Sequence, residues 1–344
     1  MGKKGRVTIS QIAELLDVSS ITVSRALANQ PGVSDELRQT IIAKAKELGY
    51  KKCRSCLKAS ILLLIRHRYT ADHSNFSQLV EGVQANVQQK GGELAIEFVD
   101  AEKQQQLALP NSLTKGQRFD GVILLGKFED EYARRVQQAA ADLVIINGGG
   151  DTLNCSYIYF NYRRIGYLAV EYLVKKGHTR IGFVGSDQSH SREMKYYGML
   201  SALAKHGLAV DDRWVLNSKE DLKARLEGWA RNKELPTAFI CQSDRIALKL
   251  VKTLHECQIT VPDQVSVIGS GNSEMSAISI PGLTTFETNI PTVCELAVNT
   301  LWEQISGKAQ AGRTVYVNAE LVERDSVRDL SVKEAYAECT LDDY

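Results

Sequence analysis

Thr8-Ile-Ser-Gln-Ile-Ala-Glu-Leu-Leu-Asp-Val-Ser-Ser-Ile-Thr-Val-Ser-Arg-Ala-Leu27 holds two short helical periodicities separated by a turn. Thr8 and Gln11 have capping-box spacing, so the first helix starts after Thr8. Ile9, Ile12, Ala13, Leu15 and Leu16 then form an apolar stripe at helical spacing. Asp17-Val18-Ser19 supplies the turn, and Ser19 caps a second helix, 20–28, whose Val23, Ala26 and Leu27 face inward. Pro31-Gly32 interrupts the chain. Ser34 caps a third helix with Asp35 and Glu36 in its first turn, Ile41, Ile42, Ala45 and Leu48 inside, and Gly49 as its stop. Two helices across a tight turn, braced by a third, make a helix-turn-helix. Its second helix would offer Ser20, Ile21, Thr22, Ser24 and Arg25 to a major groove: hydroxyls for phosphates, one apolar group for a thymine methyl, one guanidinium for guanine. A helical bundle with an incidental basic face is the competing reading.

Charge is distributed to match. Residues 1–58 hold eleven Lys and Arg against five Asp and Glu, whereas the other 286 residues carry a net charge of −5 within an overall +1. A basic head on a mildly acidic body fits a nucleic-acid-binding module fused to another domain, although a solvated basic tail would look the same. At 344 residues, 44% hydrophobic and 24% charged, the chain is neither disordered nor a disulfide scaffold. Its longest apolar run, Ile61–Ile65, is strand-sized and too short to cross a membrane. The basic start, Met-Gly-Lys-Lys-Gly-Arg, leads into no apolar stretch, so no secretory signal is expected. Seven scattered cysteines are expected to be free thiols of a cytoplasmic protein.

From about Ser60 the pattern changes. Strands are expected at 61–65, 94–99, 121–125, 143–147, 157–161, 180–185, 238–242 and 265–269. Helices are expected at 76–90, 130–141, 162–176, 192–206, 243–257 and 291–306. Such alternation means βαβ units in parallel sheets, and their number suits two doubly wound lobes better than one very wide sheet.

Motifs in both parts resemble the LacI/GalR family of bacterial transcriptional regulators. In the head they are Val7-Thr-Ile-Ser-Gln-Ile-Ala13, Val18-Ser-Ser-Ile-Thr-Val-Ser-Arg-Ala-Leu27, Val33-Ser34 and Glu47-Leu-Gly-Tyr50. In the body they are Lys176-Gly-His-Thr-Arg-Ile-Gly182, Gln242-Ser-Asp-Arg-Ile-Ala247, Val261-Pro-Asp-Gln-Val-Ser-Val-Ile-Gly269, Pro281-Gly-Leu-Thr-Thr285 and Leu321-Val-Glu-Arg324. The resemblance spans roughly residues 7–328. It implies an α/β protein with a three-helix head at 1–50, a hinge at 51–59, a two-lobed periplasmic-binding-protein-like effector domain at 60–330 and a polar tail at 331–344. It further implies a homodimer on double-stranded operator DNA, with a small-molecule effector between the lobes. The DNA-contacting candidates are Thr8, Ser19, Ser20, Ile21, Thr22, Ser24, Arg25, Asn29 and Ser34. In the hinge they are Lys51 and Lys52 on phosphates and Leu57 as a minor-groove wedge. The hinge lacks the family's proline, and a basic tether without a wedge is the alternative. Cys53-x-x-Cys56 has no second ligand pair, so no metal and no cofactor is expected.

For the effector, the family places an Arg in an Arg-x-x-Gly-aromatic pattern opening a second-lobe helix. Arg192 fills it, with Lys195 where glycine is usual. Asp244, Asn272, Asn161, Asn75 and Phe76 are the other effector-binding candidates. Asp244 doubles as a possible helix N-cap, Phe76 is alternatively core, and Asn272 follows a Ser270-Gly271 pair that lacks the family's acidic residue. A neutral sugar such as a galactoside ranks first as effector, an anionic sugar second and a nucleoside third. No nucleophile elbow, zincin or P-loop motif is present, and Gly148-Gly-Gly150 reads as a turn, so an enzyme is not expected. A solute-binding protein without a DNA function is the alternative from another class.

Overall fold

The structure, a computed structural model, describes residues 7–27, 32–48, 50, 59–66, 76–114, 118–140, 142–148, 153–186 and 190–331. Asn29, Lys51, Lys52, Leu57, Cys53, Cys56 and Asn75, together with tail residues 332–344, lie outside this set.

The head has helices α1 (Ile9–Leu15), α2 (Ser20–Leu27) and α3 (Asp35–Glu47). Thr8 and Gln11 form the reciprocal capping box, and Ile12, Val23, Ala26, Leu27, Ile41 and Ala45 make one small core closed by Tyr50.

The first lobe is built on a parallel six-stranded sheet. In chain-order numbering its strands are β1 (Ser60–Arg66), β2 (Glu93–Val99), β3 (Gly121–Leu125), β4 (Leu143–Ile146), β5 (Ser156–Phe160) and β11 (Thr314–Val317), arranged β11-β5-β4-β3-β1-β2. Both faces of the central strands are covered, which is why β1 reads as an unbroken apolar run. Ile61, Leu63 and Ile65 point to helices α4 (Phe76–Gln89) and α13 (Ile290–Ile305). Leu62 and Leu64 point the other way, into a core with Leu113 of the short α6 (Asn111–Thr114) and Tyr132, Ala133 and Val136 of α7 (Asp130–Ala139), while a short α5 (Ala101–Gln105) follows β2.

The second lobe repeats the plan with β6 (Ile181–Gly185), β7 (Val215–Asn217), β8 (Ala238–Cys241) and β9 (Ser266–Ile268), in the parallel order β7-β6-β8-β9. Helices α8 (Tyr162–Lys175) and α9 (His190–Lys205) cover one face; α10 (Leu222–Asn232) and α11 (Asp244–Glu256) cover the other. A short α12 (Glu274–Ile278) and the antiparallel pair β10 (Thr285–Glu287) and β12 (Glu320–Val322) complete it. The chain crosses between lobes three times: at Asn161, at Thr288–Asn289 and at Asn318–Ala319.

The expected strands and long helices all form, with ends shifted by a residue or two. Unanticipated are β7, β10, β11, β12, α5, α6, α10 and α12. Most have five residues or fewer, too few to show a period. The exception is α10, whose Leu222, Leu226 and Trp229 lie inward at helical spacing behind an Asp221 cap.

Two glycines set the spacing of α8 and α9. A Cβ on Gly198 would stand 1.9 Å from the Arg163 carbonyl oxygen, and one on Gly166 would stand 1.9 Å from that of Lys195. Gly198→Ala is therefore expected to lower stability by about 3 kcal/mol, the upper end of ordinary overpacking costs. Gly228→Ala, in open space on α10, should instead be neutral or stabilise by up to about 1 kcal/mol. Thermal melts of the two variants check this.

Candidate functional site

Two functional surfaces emerge. On the head, Ser19 caps α2 by accepting from the Thr22 amide at 3.0 Å, and its hydroxyl lies 2.8 Å from that of Thr22. The caps leave Ser20, Ile21, Ser24 and Arg25 exposed on one helix, Ile21 at 66%. Ile21 is a single exposed apolar side chain among the polar ones of this face. Thr8 and Ser34 are exposed caps of α1 and α3. Arg38, which the pattern did not single out, donates to the carbonyls of Arg25 and Ala26 at the end of α2 and to that of Val33. It locks the reading helix onto its brace.

The second surface lies between the lobes, at the carboxyl ends of both sheets, where open α/β folds bind ligands. A cavity of about 630 Å³ is lined from the first lobe by Arg66, Lys127 and Glu129 and from the second by His190, Arg192, Glu193, Tyr196 and Tyr197. Arg66 ends β1, Lys127 follows β3, and the second-lobe group sits on the first two turns of α9. Arg192 lies across Gly185, where a Cβ would come within 2.8 Å of its Cγ; its Nε is buried and has no hydrogen-bond partner among the described residues. A smaller cavity of about 180 Å³ adjoins at His190, lined also by Tyr159, Asn161, Tyr162, Arg163 and Tyr316.

Beneath α9 lies Lys195, 3% exposed. Its ammonium donates to the Gln242 carbonyl and, at 2.9 Å, to the Ser270 hydroxyl, and it stands 4.9 Å above the Tyr162 ring. Tyr162 in turn accepts a 3.0 Å hydrogen bond from the first-lobe Asn147. A polar chain thus runs from β4 of one lobe to the end of β9 in the other. Burial pulls the Lys195 pKa down to about 7, against the opposing pull of Asp244.

The expected effector residues divide. Arg192 lines the larger cavity. Asn161 lines the smaller one, while capping α8 through the Arg164 amide and donating to Asn318 at 2.9 Å. Phe76 packs against the first-lobe core beside Phe98 and is not among the residues lining either cavity. Asp244 is 0% exposed, accepting from the Ser273 amide and the Thr285 hydroxyl; the cap of α11 is Ser243, not Asp244. Asn272 accepts from Arg324 and donates to Glu287. Asp244 and Asn272 thus hold the 270–273 loop in place. Arg66, Lys127, His190, Tyr196 and Lys195 were missed. A usable signal existed for Arg66, a charge that directly ends an all-apolar strand. For α9, the packing demands glycine at 198, so a basic-x-x-glycine spacing also falls on Lys195-Tyr-Tyr-Gly198, one turn later than the register first drawn. Among the described residues no cluster of His, Cys, Asp or Glu could hold a metal ion, and no helix is long and apolar enough to cross a membrane.

Comparison with known proteins assigns both parts. Residues 8–52 match the family of bacterial regulatory proteins of the lacI type, and residues 170–327 match the periplasmic binding protein-like domain. The chain belongs to the LacI family. Like other LacI-family members it is a DNA-binding transcriptional repressor with an effector-binding domain. It is 27% identical to the "Probable HTH-type transcriptional repressor ExuR" of Bacillus subtilis (strain 168), over 94% of this chain and 99% of that one. It is 25% identical to the transcriptional repressor PurR of Photobacterium profundum, over the same shares. In fold it is similar to the lac repressor dimer bound to operator and the anti-inducer ONPF, with a TM-score of 0.68 and 22% identity over 94% of this chain and 100% of that one. These relatives are repressors, not enzymes, and a solute-binding protein without a DNA function is set aside.

In this LacI-family lobe the buried lysine has a thermodynamic signature. Between about pH 7 and the ordinary lysine value of 10.5 the unfolded chain holds the Lys195 proton and the folded lobe does not. Its contribution to stability therefore rises with pH across that window, by up to about 1.4 kcal/mol per unit, and is flat below it. Urea melts from pH 6.5 to 9.5 should show this slope in the wild type and lose it in Lys195→Met.

Proposed function

We propose that the protein is a cytoplasmic homodimer that represses a carbohydrate-utilisation operon, with a sugar in the inter-lobe cleft switching its affinity for a pseudo-palindromic operator. The observation that carries this reading is a cavity lined from both lobes, in a chain whose head offers a capped, exposed reading helix. A ligand touching both lobes favours one inter-lobe arrangement and shifts the population by its difference in affinity for the two. A single three-helix module makes few base contacts, and two-fold symmetry doubles them. Two exposed apolar patches support a dimer: Ile96 and Phe98 on β2, and Met275, Ile278 and Ile280 around α12, with Ile280 at 95% exposure. The domain limits carry over as proposals, with the head at 1–50, a hinge at 51–59 and the effector domain at 60–330.

The reading is tested with an operator selected from random duplexes by the full-length protein, followed by gel shifts with and without a panel of sugars. Arg25→Ala should cost about 1–3 kcal/mol on that operator and relax the preference at one base pair. Lys51→Ala or Lys52→Ala should instead weaken all sequences alike and flatten the salt dependence. Unchanged sequence preference in Arg25→Ala would move Arg25 to the phosphate contacts. For the dimer, Ile280→Asp is expected to shift sedimentation at micromolar concentration from dimer towards monomer. A wild-type monomer under those conditions would overturn the two-fold arrangement.

A further inference from the structure

We infer that the effector carries an oxyanion, a carboxylate or a phosphate, held jointly by Arg66 and Lys127 of the first lobe and Arg192 of the second. This rests on the reading of the inter-lobe cleft as the effector site and narrows the ligand from sugars in general to acid-bearing ones.

Three cations converge on one cavity from three separate elements: the end of β1, the turn after β3 and the first turn of α9. Among the described residues none of the three has an ion pair or a side-chain hydrogen bond, and the Nε of Arg192 is buried without a partner. Elsewhere in the lobes, cations such as Lys176, Lys205, Arg213 and Arg313 are paired with carboxylates. Three cations against the two carboxylates Glu129 and Glu193 leave the lining net positive, which favours an anion there. A guanidinium fork suits an oxyanion's two oxygens, and a lysine supplies a point charge beside it. The positive end of the sixteen-residue α9 faces the same space and adds to the attraction.

The remaining lining describes the rest of the ligand. Glu129 and Glu193 are acceptors for hydroxyl donors, and Tyr196, Tyr197 and His190 offer ring faces and polar edges. A hydroxylated acid of sugar size meets all of these features, and about 630 Å³ holds such a molecule with its water. The two carboxylates select against a ligand that is anionic throughout. The acid group therefore belongs against Arg66, Lys127 and Arg192, with the ligand's hydroxyls left for Glu129 and Glu193.

The test uses the full-length protein. Calorimetry compares D-galacturonate, D-gluconate and glucose 6-phosphate with galactose, glucose and lactose, and inorganic phosphate serves as the minimal probe. At least one acid is expected to bind a hundredfold or more tightly than its neutral parent, with affinity falling as salt rises. The carboxylate and phosphate arms show which acid group is taken. Arg66→Gln and Arg192→Gln are each expected to weaken that acid tenfold or more and to weaken its neutral parent by a smaller factor. Thermal melts at constant ionic strength give a reading that needs no correct guess of ligand: inorganic phosphate should raise the wild-type Tm and leave an Arg66→Gln, Lys127→Gln, Arg192→Gln variant unmoved. Binding of a neutral sugar more tightly than any acid, or equal phosphate response in wild type and triple variant, overturns the inference. The regulator reading fails separately, if the protein binds an acid but selects no operator.

Discussion

Everything about the body follows from the chain's having to cross three times between two lobes. Neither lobe is a continuous stretch of sequence. The first needs β11 beside β5 and α13 against α4, both supplied after the second lobe's sheet is complete. The second needs β12 to pair with β10 before the chain ends. The crossings are pinned by short polar side chains: Asn161 donates to Asn318 across two of them, and Asn289 caps α13 at the third. Such joints bend without breaking a core, because what they lose in bending is a few hydrogen bonds worth about 1 kcal/mol each.

Around those joints the polar groups divide into ones the fold uses and ones it leaves free. Asp244, Asn272, Gln242 and Lys195 are spent inside the second lobe, tying the 270–273 loop and the start of α9 to the sheet. Among the described residues Arg66, Lys127 and Arg192 are not. The proposed ligand site draws on this second set, and the first holds it in position.

This division explains what the sequence could and could not disclose. The helices of the head were legible, because capping residues, a turn and apolar stripes are local signals; the brace from Arg38 to the end of α2 was not, since its acceptors lie twelve and thirteen residues away. The central strands were legible because β1, β3 and β4 are buried on both faces. The strands that return to complete the sheets were not, since β10 and β12 have three residues each and owe their form to a distant partner. Site residues were the least legible. Asp244 and Arg192 look alike as charged residues at helix starts, and only the Thr285 hydroxyl and Ser273 amide around the first show that its oxygens are taken. The register of α9 was misjudged for the same reason, because the need for glycine at 198 comes from Arg163, thirty-five residues earlier.

The strand order of the first lobe turns its crossings into a lever. The polypeptide leaves that lobe at the end of β5, while β2 lies four strands away at the opposite edge. At roughly 4.8 Å per strand, a closure of about 10° pivoting at β5 moves the β2 edge by up to about 3 Å. Beside the pivot the same closure shifts residues by only a fraction of that. The exposed Phe98 and Ile96 ride on the far end, and so, one strand nearer, does Ser60, where the segment from the head joins the sheet. A change too small to register beside the pivot thus arrives at the edge as a displacement the size of a side chain.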